Sequence, residues 1–245
     1  MRADLALVST EASGESPLLA FSPRLTLRWA PATLLRVYGA YGRGFRPPEA
    51  QAFGRFEPAQ SGDLEALQSG GEPAMTLSDA FELGLRWDPA DWFGGALSGF
   101  VTLLQRDSIF DHVSGLLVEL GSTRRLGVEL VLHSHPLPWL GLEADLTAVD
   151  ARFEGSGARL PQAPWLVGAA RAVVTHPAGF RAGLRLIALG PRTLPQGAAA
   201  GSFAQLDGTL GYRWPRLQLD LAAENLLNSQ LREGEYHYAS HWRPG

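Results

Sequence analysis

Along most of this chain apolar and polar residues alternate one by one. Leu25, Leu27 and Trp29 fall on one side of a stretch whose other side carries Arg24, Thr26 and Arg28. Phe81, Leu83, Leu85 and Trp87 oppose Glu82 and Arg86, and Leu126-Gly-Val-Glu-Leu-Val-Leu132 repeats the scheme. Further on, Leu140, Leu142, Ala144 and Leu146 oppose Glu143, Asp145 and Thr147. Phe180, Ala182, Leu184 and Leu186 oppose Arg181 and Arg185, and Leu217, Leu219 and Leu221 oppose Gln218, Asp220 and Glu224. A period of two sends successive side chains to opposite faces of an extended strand. The pattern predicts about ten strands plus a stub at 3–8, and almost no helix.

The connections between strands sort into two kinds. Short ones lie at Ala30–Thr33, Trp87–Trp92, His135–Trp139, His176–Gly179 and Trp214–Arg216, each with a proline and most flanked by tryptophan. Between them fall polar or glycine-rich connections at 42–76, 106–124, 152–162, 190–202 and beyond 227. Short turns on one side, long loops on the other and aromatic residues at the interface describe an antiparallel transmembrane β-barrel. A soluble β-sandwich would have loops of similar length at both ends and its charged face outward.

Composition narrows the chemistry. The net charge of −4 and scattered arginines give no sign of a nucleic-acid partner. With no cysteine there is no disulfide, thiolate metal site or cysteine nucleophile. Charged residues make up only 19% of the chain, below the share usual for soluble domains. No run reaches the roughly 18 apolar residues of a membrane helix, and acidic Asp4 and Glu11 flank too short an apolar start for a signal peptide. His133 and His135 share a strand face without an evident third ligand, so no metal site is expected. Ser108, Asp111 and His112 supply catalytic residue types, but nothing resembles a nucleophile elbow or a metalloprotease helix. Asp63, Glu65 and Glu72 fit no calcium-loop spacing.

Tyr38-Gly-Ala-Tyr-Gly-Arg-Gly-Phe-Arg-Pro-Pro-Glu-Ala50 begins as a strand and ends against two prolines, which cannot donate to a ladder. The glycines at 42 and 44 are expected to free the backbone for bends. This stretch resembles the strand-to-loop junction in the barrels of TonB-dependent outer-membrane receptors. Ser22-Pro-Arg-Leu25, Ser78–Arg86 with its E-x-G, Arg125-Leu-Gly-Val-Glu-Leu130, Leu160-Pro-Gln-Ala-Pro164 and Glu224-Asn-Leu-Leu-Asn228 are similar to further motifs of that family, in the family's order.

The resemblance implies an all-β fold and a place in the outer membrane of a Gram-negative bacterium. Complete members have a plug domain and roughly 22 strands around a filled lumen. Residues 1–245 therefore read as the C-terminal part of the barrel, about ten to eleven strands, with plug domain and final strand absent. It implies uptake of a scarce nutrient, such as a ferric siderophore or other metal chelate, with no cofactor and no enzymatic activity. The implied partners are outer-membrane lipid, the small-molecule ligand and the TonB complex acting through the plug. Gly42, Gly44, Pro47, Glu82, Gly84, Gly127, Glu129, Asn225 and Leu226 carry the family motifs as structural residues. Ligand contacts are expected from Arg43, Phe45 and Arg46 at the loop root, then Phe53, Arg55 and Phe56, and then His112, Tyr236 and His237. Arginine and aromatic side chains suit an anionic, ring-bearing chelate. Arg28, Arg36, Arg86, Arg171, Arg181 and Arg185 are expected to pair within the lumen with Glu82, Glu129, Glu143, Asp145, Asp207 and Glu224. The alternatives are an outer-membrane barrel enzyme of lipase or protease type and a soluble β-sandwich binding module.

Overall fold

The computed structural model describes residues 2–8, 18–46, 76–111, 116–194, 199–230, 235–238 and 241–244. The alternating segments become strands β1 (Arg2–Val8), β2 (Leu18–Ala32), β3 (Leu35–Arg46), β4 (Thr76–Ala90), β5 (Phe93–Asp111), β6 (Leu116–Leu137), β7 (Leu140–Phe153), β8 (Leu166–Thr175) and β9 (Phe180–Leu189). After the short β10 (Arg192–Thr193) and β11 (Ala199–Ala200) come β12 (Phe203–Arg213) and β13 (Gln218–Ala223), then β14 (Glu235–Tyr238) and β15 (His241–Pro244). One 11-stranded sheet runs β1 to β9, then β12 and β13, each strand antiparallel to the one before. Pairs β10–β11 and β14–β15 stand apart from it as small hairpins.

Register fixes two faces, because residues directly opposite each other share a side of the sheet. One side collects Leu25, Leu27, Trp29, Phe81, Leu83, Leu97, Leu126, Val128, Leu146, Leu184, Leu210 and Leu221. We call it the apolar face. Leu27 and Leu83 are 66% and 67% exposed on it. Among the described residues only Ala151, Leu160, Leu194 and Ala200 are buried apolar side chains. Those four do not form a layer between two sheets, so a sandwich has no core here. Leu160, Leu194 and Ala200 instead belong to the connections flanking β8 to β12. There the Gln162 N–H bonds to Thr193 O at 2.7 Å and Arg192 reaches the Gln162 side chain at 3.3 Å.

The prolines of the short turns have a structural counterpart. Register shifts fall between Trp29 and Ala32, Trp87 and Ala90, and Ser134 and Leu137. Pro31, Pro89 and Pro136 lie inside these three gaps. A residue without an N–H leaves a hole in the ladder, and a bulge is the cheapest way to absorb it.

Two expectations need correction. Gly42 and Gly44 do not bend the chain, since β3 continues through them to Arg46 with Gly42 opposite Ala80 and Gly44 opposite Ser78. The connection expected at 106–124 is mostly strand: β5 and β6 pair as far as Asp111 and Leu116.

Candidate functional site: the charged face and the loop roots

All twelve charged residues assigned to a lumen fall on the face opposite Leu27 and Leu83, eleven by direct cross-strand register. Glu224 follows by alternation from Asp220 and Ala222, which lie opposite Gly211 and Thr209. The expected charge pairing across strands is sparse. Cross-strand neighbours include like charges, Arg36 opposite Arg86 and Arg171 opposite Arg185, and opposite charges, Glu143 opposite Arg171 and Asp207 opposite Arg185. Among the described residues only Arg86 of the twelve makes an ion pair, with Asp88 at 3.4 Å. Glu82 instead accepts from the Tyr38 hydroxyl at 2.5 Å. Asp207 accepts from Gln205 at 2.8 Å and from the Asn225 backbone N–H at 3.0 Å. Toward the β13 edge Arg171, Arg181, Arg185, Asp207, Asp220 and Glu224 line an open basin of about 590 Å³.

The motif glycines of this face have a packing role. Tyr38 lies opposite Gly84, and Phe100 lies opposite Gly127. A Cβ at Gly84 would come within 2.5–2.6 Å of the Tyr38 ring. One at Gly127 would strike the Phe100 ring and come within 2.9 Å of the Ala148 carbonyl. Each glycine therefore makes room for an aromatic ring lying across the neighbouring strand. Glu129 shares the charged face with Gly127, opposite Ser98. The Asn225 motif is a turn. Asn225 and Asn228 have φ of 52° and 49°, the left-handed region that asparagine tolerates best after glycine. The Asn225 side chain spans the turn, donating to Ser229 O and accepting from Ser229 N, each at 2.9 Å. The Leu226 N–H returns the chain to the sheet at Leu206 O.

At the loop ends the structure divides the residues that the sequence grouped. Arg46 is on the charged face, opposite Thr76. Its Nη2 lies 3.9 Å from Asp107, which is 4% exposed. Asp107 also accepts from Arg125 at 2.8 Å and from the Thr123 hydroxyl at 2.9 Å. The roots of β3, β5 and β6 thus meet at one buried carboxylate. Arg43 and Phe45 project from the other face, where Arg43 grips Asp79 through Nε at 2.9 Å and Nη2 at 2.8 Å. The Tyr41 hydroxyl adds a third bond to Asp79 at 2.7 Å. Tyr236 and His237 lie in β14, opposite Arg243 and Trp242. Pro47, Phe53, Arg55, Phe56 and His112 lie outside the described residues. Sequence reading misses the Asp107 cluster, because Asp107 falls in the connection expected at 106–124. His133 faces Asp88 at 3.8 Å, and no group of three metal-ligating side chains forms among the described residues.

Comparison with known proteins accords with this geometry. A family model described as TonB dependent receptor-like, beta-barrel, matches residues 8–226. The fold is similar to the ferric yersiniabactin uptake receptor FyuA from Yersinia pestis, with a TM-score of 0.75 and 20% identity. That match covers 94% of this chain and 35% of the receptor. The ferric-catecholate import receptor Fiu from K12 E. coli gives a TM-score of 0.70 at 18% identity, covering 99% of this chain and 38% of Fiu. The copper transporter OprC gives 0.67 at 17% identity, covering 86% and 34%. The chain spans little more than a third of the length of these proteins. No curated protein sequence matches it significantly.

Proposed function

The chain belongs to the TonB-dependent receptor β-barrel family, outer-membrane transporters of Gram-negative bacteria rather than enzymes, and from that premise we propose that it serves uptake of a scarce nutrient carried as a metal chelate. In this reading residues 1–245 form the C-terminal part of a receptor barrel. Their apolar face meets the lipid, and their charged face lines the lumen against a plug on which TonB pulls. The observation that carries the reading is the charged face itself. It carries Arg36 beside Arg86 and the row Glu143, Arg171, Arg185 and Asp207, none of which except Arg86 makes an ion pair among the described residues. Such a surface is stable only against water or a polar partner. A plug supplies that partner; a lipid or a second apolar sheet does not.

The ligand meets the loop roots on the lumen side. Arg46 is the side chain to which we assign that contact, with Asp107 and Arg125 fixing its surroundings. Phe53, Arg55, Phe56, His112, Tyr236 and His237 remain assigned to the same external surface. Arg43 and Phe45 are placed on the apolar face and leave the ligand set.

The test is uptake by cells that express the full receptor and lack competing receptors. Growth on limiting metal is measured with a panel of ferric chelates, and with copper because one structural relative is a copper transporter. One chelate should restore growth, the effect should vanish when the proton-motive force is collapsed, and Arg46→Ala should weaken uptake while Arg43→Ala leaves it intact. Growth on every chelate that is indifferent to deletion of the receptor would sink the reading.

A further inference from the structure

Two neighbouring connections at the long-loop end are joined through Gln162. The first follows β7 and spans 154–165; the second follows β9 and is described at 190–194 and 199–200. Segment 158–160 doubles back along β7, with the Leu160 N–H bonded to Ala151 O and the Phe153 N–H to Ala158 O, each at 2.9 Å. Gln162 then makes two bonds onto β10 in the second connection. Its backbone N–H donates to Thr193 O at 2.7 Å, and its side-chain oxygen accepts from Arg192 Nε at 3.3 Å. The Gly190 N–H, bonded to Leu166 O at 2.7 Å, fixes the point where the second connection leaves the sheet.

Gln162 holds a backbone conformation that is strained for any residue with a Cβ, at φ 60°. Such strain persists only where the surroundings over-determine it. Glycine would relieve it but has no side chain to accept from Arg192. That guanidinium is buried, and a buried charge is costly unless it is hydrogen-bonded. The apolar side chains of the same two connections are equally enclosed. Leu160, Leu194 and Ala200 are at most 4% exposed, and Ala151, whose carbonyl Leu160 bonds, is also buried. Among the described residues no other apolar side chain is buried, and the sheet itself leaves Leu27 and Leu83 largely exposed.

Buried apolar groups and bonds between connections raise the local stability of a segment, whereas mobile loops have few of either. We propose that Gln162 locks the two connections into a single strap across the long-loop ends of β7, β8, β9 and β12, closed before any cargo arrives. The strap opens as one unit, because Gln162 ties the first connection to β10 through both its backbone and its side chain. Gln162 is a positioning residue in this scheme and need not touch cargo. A wall of fixed shape meets cargo without an ordering cost at the moment of binding. The lock does not depend on what the cargo is.

The full receptor, purified in detergent micelles without added cargo, is followed by hydrogen exchange and mass spectrometry on peptides from both connections and from β8. In the unaltered protein the Leu160 and Gln162 amides should exchange within about tenfold of the β8 amides. Gln162→Gly suits the backbone conformation and deletes the bond to Arg192. Exchange should then rise about tenfold in both connections, the order expected for a lost hydrogen bond to a charged group. Gln162→Ala, which adds the backbone strain, should raise it further. Gly155→Ala, in open space within the first connection, should change neither. Heat-dependent gel migration identifies variants that fold. If neither variant at 162 folds, the unaltered protein decides, and exchange of its Leu160 and Gln162 amides at the rate of an unfolded peptide overturns the strap. A rise confined to the first connection, or no rise in Gln162→Gly, overturns the lock.

Discussion

The ring of Tyr38 occupies the space that a side chain at Gly84 would need. Its hydroxyl is held by Glu82 at 2.5 Å, so the ring cannot swing aside without giving up that bond. Gly84→Ala should therefore destabilise the barrel by about 1–3 kcal/mol through overpacking. Gly127→Ala should cost more, because the Ala148 carbonyl that it would strike is backbone. Gly99→Ala is the control: its nearest neighbour is 3.9 Å away, and a stabilisation of about 0.4–1 kcal/mol is expected from the unfolded chain. Urea titrations of refolding into detergent micelles rank the three. Equal losses at all three positions would contradict the packing account.

Asp107 joins three strand roots. Asp107→Asn should leave Arg125 and Arg46 without their shared anion and lower stability by about 1–3 kcal/mol. The change should appear as faster protease cleavage in the loops after β3 and β5, with the lower strands still protected. Uniform loss of protection across the barrel would mean that Asp107 serves the whole sheet instead.

Asn225 should not tolerate alanine. Alanine would be forced to φ 52°, at about 1–2 kcal/mol, and would lose two hydrogen bonds to Ser229. Asn225→Gly relieves the backbone but loses the same bonds. Thermal unfolding should rank asparagine above glycine and glycine above alanine. Glycine matching asparagine would show that the side-chain bonds contribute nothing.

The two faces should respond oppositely to charge. Leu83→Arg on the apolar face should cost about 2–4 kcal/mol when the receptor folds into lipid bilayers. Thr147→Arg, on the charged face opposite Glu129, should cost much less. Reversal of that order would exchange the lipid and lumen sides.

Much of this architecture was already legible along the chain. Alternation at 22–30, 80–87 and 126–132 marked the strands and both faces, because a period of two leaves a side chain no other place to go. The same rule separates Arg43 from Arg46, three residues apart, once β3 is seen to run through both as a regular strand. Their shared aromatic, basic context had drawn them together. Gly42 and Gly44 were misread because a glycine permits a bend without requiring one.

Other features depended on which strand lies beside which. Asp107 is buried only because β5 and β6 extend past it and bring Thr123 and Arg125 alongside. Tyr38 covers Gly84 from 46 positions away in the chain, and three arginines at 124, 152 and 159 share a row only through hydrogen bonding between strands. The sequence by itself determined most strands, their two faces and the short turns between them, since these follow from side-chain period and backbone chemistry, but not how far β3, β5 and β6 extend. Tertiary structure alone decided which residues meet, because strands pair in chain order but the offset of one strand against the next is set by the hydrogen bonds between them.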